Sequence, residues 1–200
     1  MQKVLLIAAL IGILLYFITR KIVMKGNAVV AERKQQQGYI CIESGSQILN
    51  KIIKSTVSTA AFGLILFLLI LFLAMKVKIL LILLPISIYL MSQLLLLNNQ
   101  LKYAKNQQVW YNPSNNEVIL EWASGNKLQF NLLRDIQAIK EVKAVQKNKD
   151  ILFGYYALTI HNNQIYLPLV LEANPLNKGF FKTLKDNYEI KSNSSLYPII

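Results

Sequence analysis

One cysteine and one histidine stand among 200 residues, and their scarcity excludes several chemistries at once. With Cys41 alone no intrachain disulfide can form, and paired CxxC zinc motifs are ruled out. Cys41 is read as an inert buried thiol and not as an acylation site. Any Ser-His-Asp or Cys-His machinery would have to use His161. That residue falls in a polar turn between two predicted strands, which places it at the surface. The eight glycines build neither GxxxxGKS/T nor GxGxxG, so no phosphate cradle is expected. Acids are few, 10 against 22 Lys and Arg. Glu117, Glu121, Asp135, Glu141, Asp150, Glu172, Asp186 and Glu189 show no spacing for metal binding or paired acid-base work. The inventory predicts no enzyme, no metal and no cofactor.

Charge is missing from long stretches as well. Residues 56–75 are twenty positions without a charge, Lys76-Val77-Lys78 interrupts, and residues 79–97 add nineteen more. At a rise of ~1.5 Å per residue, each run reaches close to the ~30 Å hydrocarbon core of a bilayer. Two antiparallel helices satisfy every backbone polar group internally, as lipid requires. A third apolar run, residues 4–18, is preceded by Lys3 and followed by Arg20 and Lys21. No small-x-small cleavage site follows it, and the stronger positive charge lies after it. It reads as a retained signal anchor whose helix continues toward Met24, with Arg20 and Lys21 snorkelling. The expected membrane module therefore has three transmembrane helices. Ala8 and Gly12 on the first, and Ser55, Thr59 and Gly63 on the second, repeat every four residues, a spacing that lets helix backbones pack closely in lipid. Pro85 is expected inside the third helix, where it removes a backbone donor and kinks the chain. None of the three runs buries a charge, which argues against an ion-driven transporter.

The positive excess is uneven. Before Asn98 there are 10 Lys and Arg against 2 acids; from Asn98 onward there are 12 against 8. Most of it flanks the apolar runs, so the lipid bilayer, not nucleic acid, is the expected partner. The stretch between the anchor and the hairpin holds Arg20, Lys21, Lys25, Arg33, Lys34, Lys51 and Lys54. Such a segment stays on the cytoplasmic side. That puts the Lys76/Lys78 turn outside and everything after Leu97 inside. Abundant lysine, asparagine and isoleucine fit a low-GC bacterial chain, hence a multi-pass protein of the bacterial cytoplasmic (inner) membrane with its C-terminal domain cytoplasmic.

Five segments follow: an anchor at 1–24, a basic cytoplasmic connector and interfacial helix at 25–55, the hairpin at 56–97, a soluble domain at 98–190, and a tail at 191–200. In the connector, residues 39–42 read as a short strand and Ser44-Gly45-Ser46 as a helix-capping turn. In the soluble domain, 107–111, 117–122 and 127–131 read as strands joined by Asn-rich and Gly-bearing turns. A second hairpin, 151–160 with 165–170, turns at His161-Asn162-Asn163-Gln164. Asn174-Pro175 ends the sheet, and 176–188 reads as a helix with Phe180, Phe181, Leu184 and Tyr188 on one side. Residues 132–147 stay open. Leu132, Ile136, Ile139, Val142 and Val145 keep a helical period, whereas a strand there must bulge. If the stretch is helical, Lys140, Lys143 and Lys147 share a face. With Lys149 they form the candidate lipid or partner contact.

Gly125-Asn126-Lys127-Leu128-Gln129-Phe130 followed by Leu133-Arg134-Asp135-Ile136, and 158–168 ending in Pro168, resemble the hairpins of bacterial membrane proteins with a PH-like (pleckstrin-homology-like) domain. Six strands are countable where that fold has seven. The resemblance implies an α+β soluble domain, a PH-like antiparallel β-sandwich or barrel closed by a C-terminal helix, in a family without a shared catalytic set. The expected function is a non-enzymatic accessory or scaffold subunit of the inner membrane. Its PH-like domain would bind a protein partner of a membrane complex, or the chain would homo-oligomerise. A lipid-sensing surface module and an assembly factor of a secretion, pilus or envelope system are the alternatives.

Overall fold

A computed structural model describes residues 38–74, 76–148, 151–161 and 163–200. The expected anchor at 1–24 with Ala8 and Gly12, the connector before Gly38, and Lys149 lie outside the described residues. The described residues divide into two compact units, 53–95, and 38–52 with 96–200. The division falls inside both long helices.

The first unit is helical. Helix α1 spans Ser46–Ala74, a 3-10 segment covers Lys78–Leu83, and α2 covers Leu84–Asn106. Two continuous stretches, Ser46–Ala74 and Lys78–Asn106, are long and apolar enough to cross a membrane, with mean hydropathy of 2.7 and 2.3. A core helix of a soluble protein hides its apolar side chains, yet Phe62, Ile65, Leu69, Ile82 and Ile86 are all exposed. Polar side chains here turn back on their own helices. Thr59 donates to the Ser55 carbonyl (3.1 Å), Ser87 to Leu84 (2.8 Å) and Ser92 to Tyr89 (2.7 Å), the local bonding open to hydroxyls in a helix.

At Gly63 the helices meet: a Cβ there would lie 2.7 Å from Leu90 Cβ and 3.0 Å from the Met91 nitrogen. Ser55 is buried and Thr59 half-buried on the same four-residue spacing. Pro85 does not kink a helix interior as expected. It sits where the 3-10 segment passes into the first turn of α2, so the missing N–H falls at the change from one helix type to the other.

The second unit holds two four-stranded sheets. The first orders β1 (Ile40–Ile42), β2 (Gln107–Asn112), β3 (Glu117–Trp122) and β4 (Lys127–Asn131) as an antiparallel meander. The second orders β7 (Asn163–Pro168), β6 (Ile151–Ile160), β5 (Ile136–Asn148) and β8 (Ile190–Ser195). Helix α3, Lys178–Asn187, follows a 3-10 turn at Pro175–Asn177. Alternation builds the core. Val109, Val118, Leu120 and Phe130 from the first sheet meet Ile139, Tyr156, Leu158 and Leu167 from the second, and α3 adds Phe180, Phe181 and Leu184.

Several of these elements depart from the sequence-based expectation. A seventh antiparallel strand does exist, but it is β1, which precedes the apolar hairpin in the chain and pairs with β2 at Ile40–Tyr111, Cys41–Trp110 and Ile42–Val109. The helical hairpin is thus inserted between two neighbouring strands of one sheet. Helix α2 also runs on to Asn106, past the expected domain start at Asn98.

Within residues 132–147, residues 132–135 form a turn and the rest is strand. The helix-like spacing of Ile136 and Ile139 comes from a bulge between Ile136 and Ala138 opposite Ile160 and Thr159, whereas Val142 lies on the other face from Ile139 and Val145 is exposed. One extra residue brings both Ile136 and Ile139 to the buried face. The expected tail at 191–200 contributes most of β8, which runs parallel to β5 from Ile139–Ile190 to Ala144–Ser195.

Gly154 on β6 has φ +154°, and a Cβ there would fall 2.1 Å from the Val142 carbonyl oxygen. Only glycine lets β6 approach β5 so closely. Gly154→Ala should destabilise the protein by ~2 kcal/mol or more, since the obstacle is backbone and cannot rotate away. A thermal melt in detergent checks this, and an unchanged midpoint contradicts it.

Candidate functional site

Helix α3 is placed against β1 by two buried asparagines. Asn174 caps the turn before the helix, its Oδ1 accepting from the Leu176 N–H (3.2 Å). Its Nδ2 donates to the Glu43 carbonyl (2.7 Å). Asn177 Nδ2 donates to the same carbonyl (2.9 Å) and to Leu171 (2.6 Å). Glu43 follows β1 directly, and the Gly45 carbonyl then accepts from Ile48 and Leu49 as α1 begins. These two amides therefore hold the short link between strand and helix.

Between β1 and α3 lies an open cavity of about 260 Å³. Ile42, Tyr111 and Phe180 form its apolar floor, with the Tyr111 and Phe180 rings edge to face at 5.2 Å. Ile40 (43% exposed) and Leu176 (84% exposed) stand on its rim. The Tyr111 hydroxyl donates to Asn116 Oδ1 (2.9 Å), and Asn116 and Thr183 give the wall its polar edge. Beside Gly179 the space is open, since a Cβ there would meet nothing within 4 Å. Such a groove suits an apolar side chain or two with a few polar contacts.

A second cluster lies behind α3. Tyr156 is fully buried and donates to Glu172 Oε2 (2.6 Å). Glu172 also pairs with Lys185. Glu141, buried on β5, pairs with Lys143 (2.7 Å). Burial, then the hydrogen bond to Glu172, pushes the Tyr156 hydroxyl far above the ordinary tyrosine range. A neutral hydroxyl held as donor to a carboxylate is a structural bond. It is not a poised base.

The last turns of α2 and the start of β2 are held in the same manner as β1. Gln100 Nε2 donates to the Pro198 carbonyl (3.0 Å). Asn99 exchanges two bonds with Ile200, giving to its carbonyl (3.1 Å) and accepting its N–H (2.9 Å). Gln107 Nε2 donates to the Tyr166 carbonyl on β7 (2.8 Å).

The expected basic cluster is not assembled. Because residues 136–148 form a strand, Lys140 and Lys143, three positions apart in continuous register, point to opposite faces. Lys143 is also engaged with Glu141. Lys147 lies on β5 beyond a register shift, and Lys149 is outside the described residues. His161 stands exposed in its turn with φ +46°. No group of three or more His, Cys, Asp or Glu that would hold a metal occurs among the described residues. The groove was missed in the sequence because β1 and α3 are 136 residues apart and nothing local couples them. Asn174 was legible as a turn residue, whereas its second bond, to Glu43, was not.

No protein-family model, curated protein or solved structure matches this chain.

Tyr156→Phe should cost ~1–3 kcal/mol at neutral pH, because it leaves the Glu172 carboxylate without its buried donor. The folded hydroxyl holds its proton more tightly than the unfolded one. Its contribution is therefore full below the unfolded value near pH ~10 and is lost as pH rises above it. Denaturation curves from pH 7 to 11 should show the variant losing less stability at the alkaline end than the parent. Parallel curves would contradict this account.

Proposed function

We propose that this chain is a non-enzymatic accessory or scaffold subunit of a bacterial inner membrane. In this reading α1 and α2, with the N-terminal apolar run, anchor it, and the β unit is a cytoplasmic PH-like domain that contacts a protein partner. One observation carries the reading: a helix pair apolar enough to cross a bilayer is inserted between two paired strands, so anchor and domain are parts of one design. The likeness to a PH-like domain is supported by strand count and order. A four-stranded meander that includes β1 is followed by three further antiparallel strands and a helix. In this reading β8 is an addition to that pattern.

The contact surface this reading favours is the groove between β1 and α3. It is apolar, open, and rimmed by exposed Ile40 and Leu176. A lipid-sensing role through this cluster is weakened because Lys140 and Lys143 point to opposite faces of a strand. The cytoplasmic placement rests on the positive charge flanking the hairpin, including exposed Lys51, Lys54 and Lys102 at one end.

Purification from native membranes in mild detergent tests the proposal. A membrane protein should co-elute in near-stoichiometric amount, and substituting Leu176 or Ile40 by aspartate should release it without altering the thermal midpoint. A clean monomer from gentle extraction contradicts the scaffold reading.

A further inference from the structure

The wall of the groove and the start of α1 are one continuous piece of chain. Ile40 and Ile42 line the cavity, Glu43 follows, and α1 begins at Ser46. The opposite wall, Leu176 and Phe180, belongs to the α3 segment, which grips Glu43 through Asn174 and Asn177. Both asparagines are almost fully buried, and both put Nδ2 on one carbonyl oxygen.

We propose that Asn174 and Asn177 form a latch that sets the separation of the two groove walls and transmits displacement of α1 to β1. The device holds whatever occupies the groove. Strand β1 is three residues long and, among the described residues, pairs with β2 only. So short a ladder contributes few bonds, and the latch is what keeps it seated against α3. A pull on α1 reaches Glu43 across only Ser44 and Gly45. Releasing Glu43 frees β1 to move and the groove to widen, while the longer ladder of β5 with β6 has no part in the change.

Hydrogen exchange of the full chain in detergent, read by mass spectrometry, tests this with two variants. Asn174→Ser keeps an oxygen to cap Leu176 but is too short to reach Glu43. It should speed exchange of the Ile40–Ile42 amides about tenfold, with β6 amides unchanged, as a local opening does. Gly63→Leu forces α1 away from α2 at a distance from the latch and should also speed β1 exchange alone. Unchanged β1 exchange in Asn174→Ser overturns the latch. Equal acceleration of β1 and β6 overturns it too, because β1 then opens only with the whole domain. Unchanged β1 exchange in Gly63→Leu overturns the transmission.

Discussion

The pairing of β1 with β2 is the constraint on which the rest of this structure depends. Three residues before the apolar hairpin lie beside the strand that follows it, with both long helices in between. An ordinary loop of that length would add an entropic cost to closing the sheet. Here the hairpin removes much of that cost, because antiparallel helices bring their outer ends together. Without a neighbour on that side, β2 would present an open edge, and unpaired backbone groups beside a hydrophobic core are costly.

Side-chain amides complete what this arrangement leaves open. Helix ends and strand edges leave backbone groups without partners of their own. In this chain asparagine and glutamine meet them: Asn174 and Asn177 at Glu43, Gln100 at Pro198, Asn99 at Ile200, and Gln107 at Tyr166. Neutral amides can be buried at lower cost than charges, since there is no ion to desolvate. The shortage of acids has a structural counterpart, because every one of these joints works without an acidic side chain. Buried Glu141 and half-buried Glu172 each have a lysine, and Glu172 has the Tyr156 hydroxyl as well.

What was legible in the sequence divides along the range of the interaction involved. The two long apolar stretches, the β2–β3–β4 meander and the closing helix with Phe180, Phe181 and Leu184 all follow from local period and turn residues. Residues 136–148 misled because a bulge at Gln137 puts Ile136 and Ile139 on one face, and because Val142 and Val145 continue that spacing in sequence without sharing the face. The strand at 39–42 was visible, but its partner lies beyond both helices, and nothing in a local pattern names it. The same holds for β8, whose polar run IKSNSS reads as tail until its parallel pairing with β5 is seen. The groove belongs wholly to this long-range class, as do the amide joints. Basic residues gave the opposite error: a cluster in sequence was separated by the pleat.

Taken together, a β domain divided by a membrane-type hairpin differs from a soluble domain fused after an anchor. In a fusion the domain folds without its anchor; in a divided domain it needs the strand from the other side. Folding of the excised piece measures this most directly. Residues 98–200 alone should lack a cooperative melting transition, whereas residues 38–45 joined to 104–200 through a short Gly-Ser linker should recover one. Should residues 98–200 melt cooperatively at the same temperature as the joined form, the dependence on β1 claimed here is contradicted.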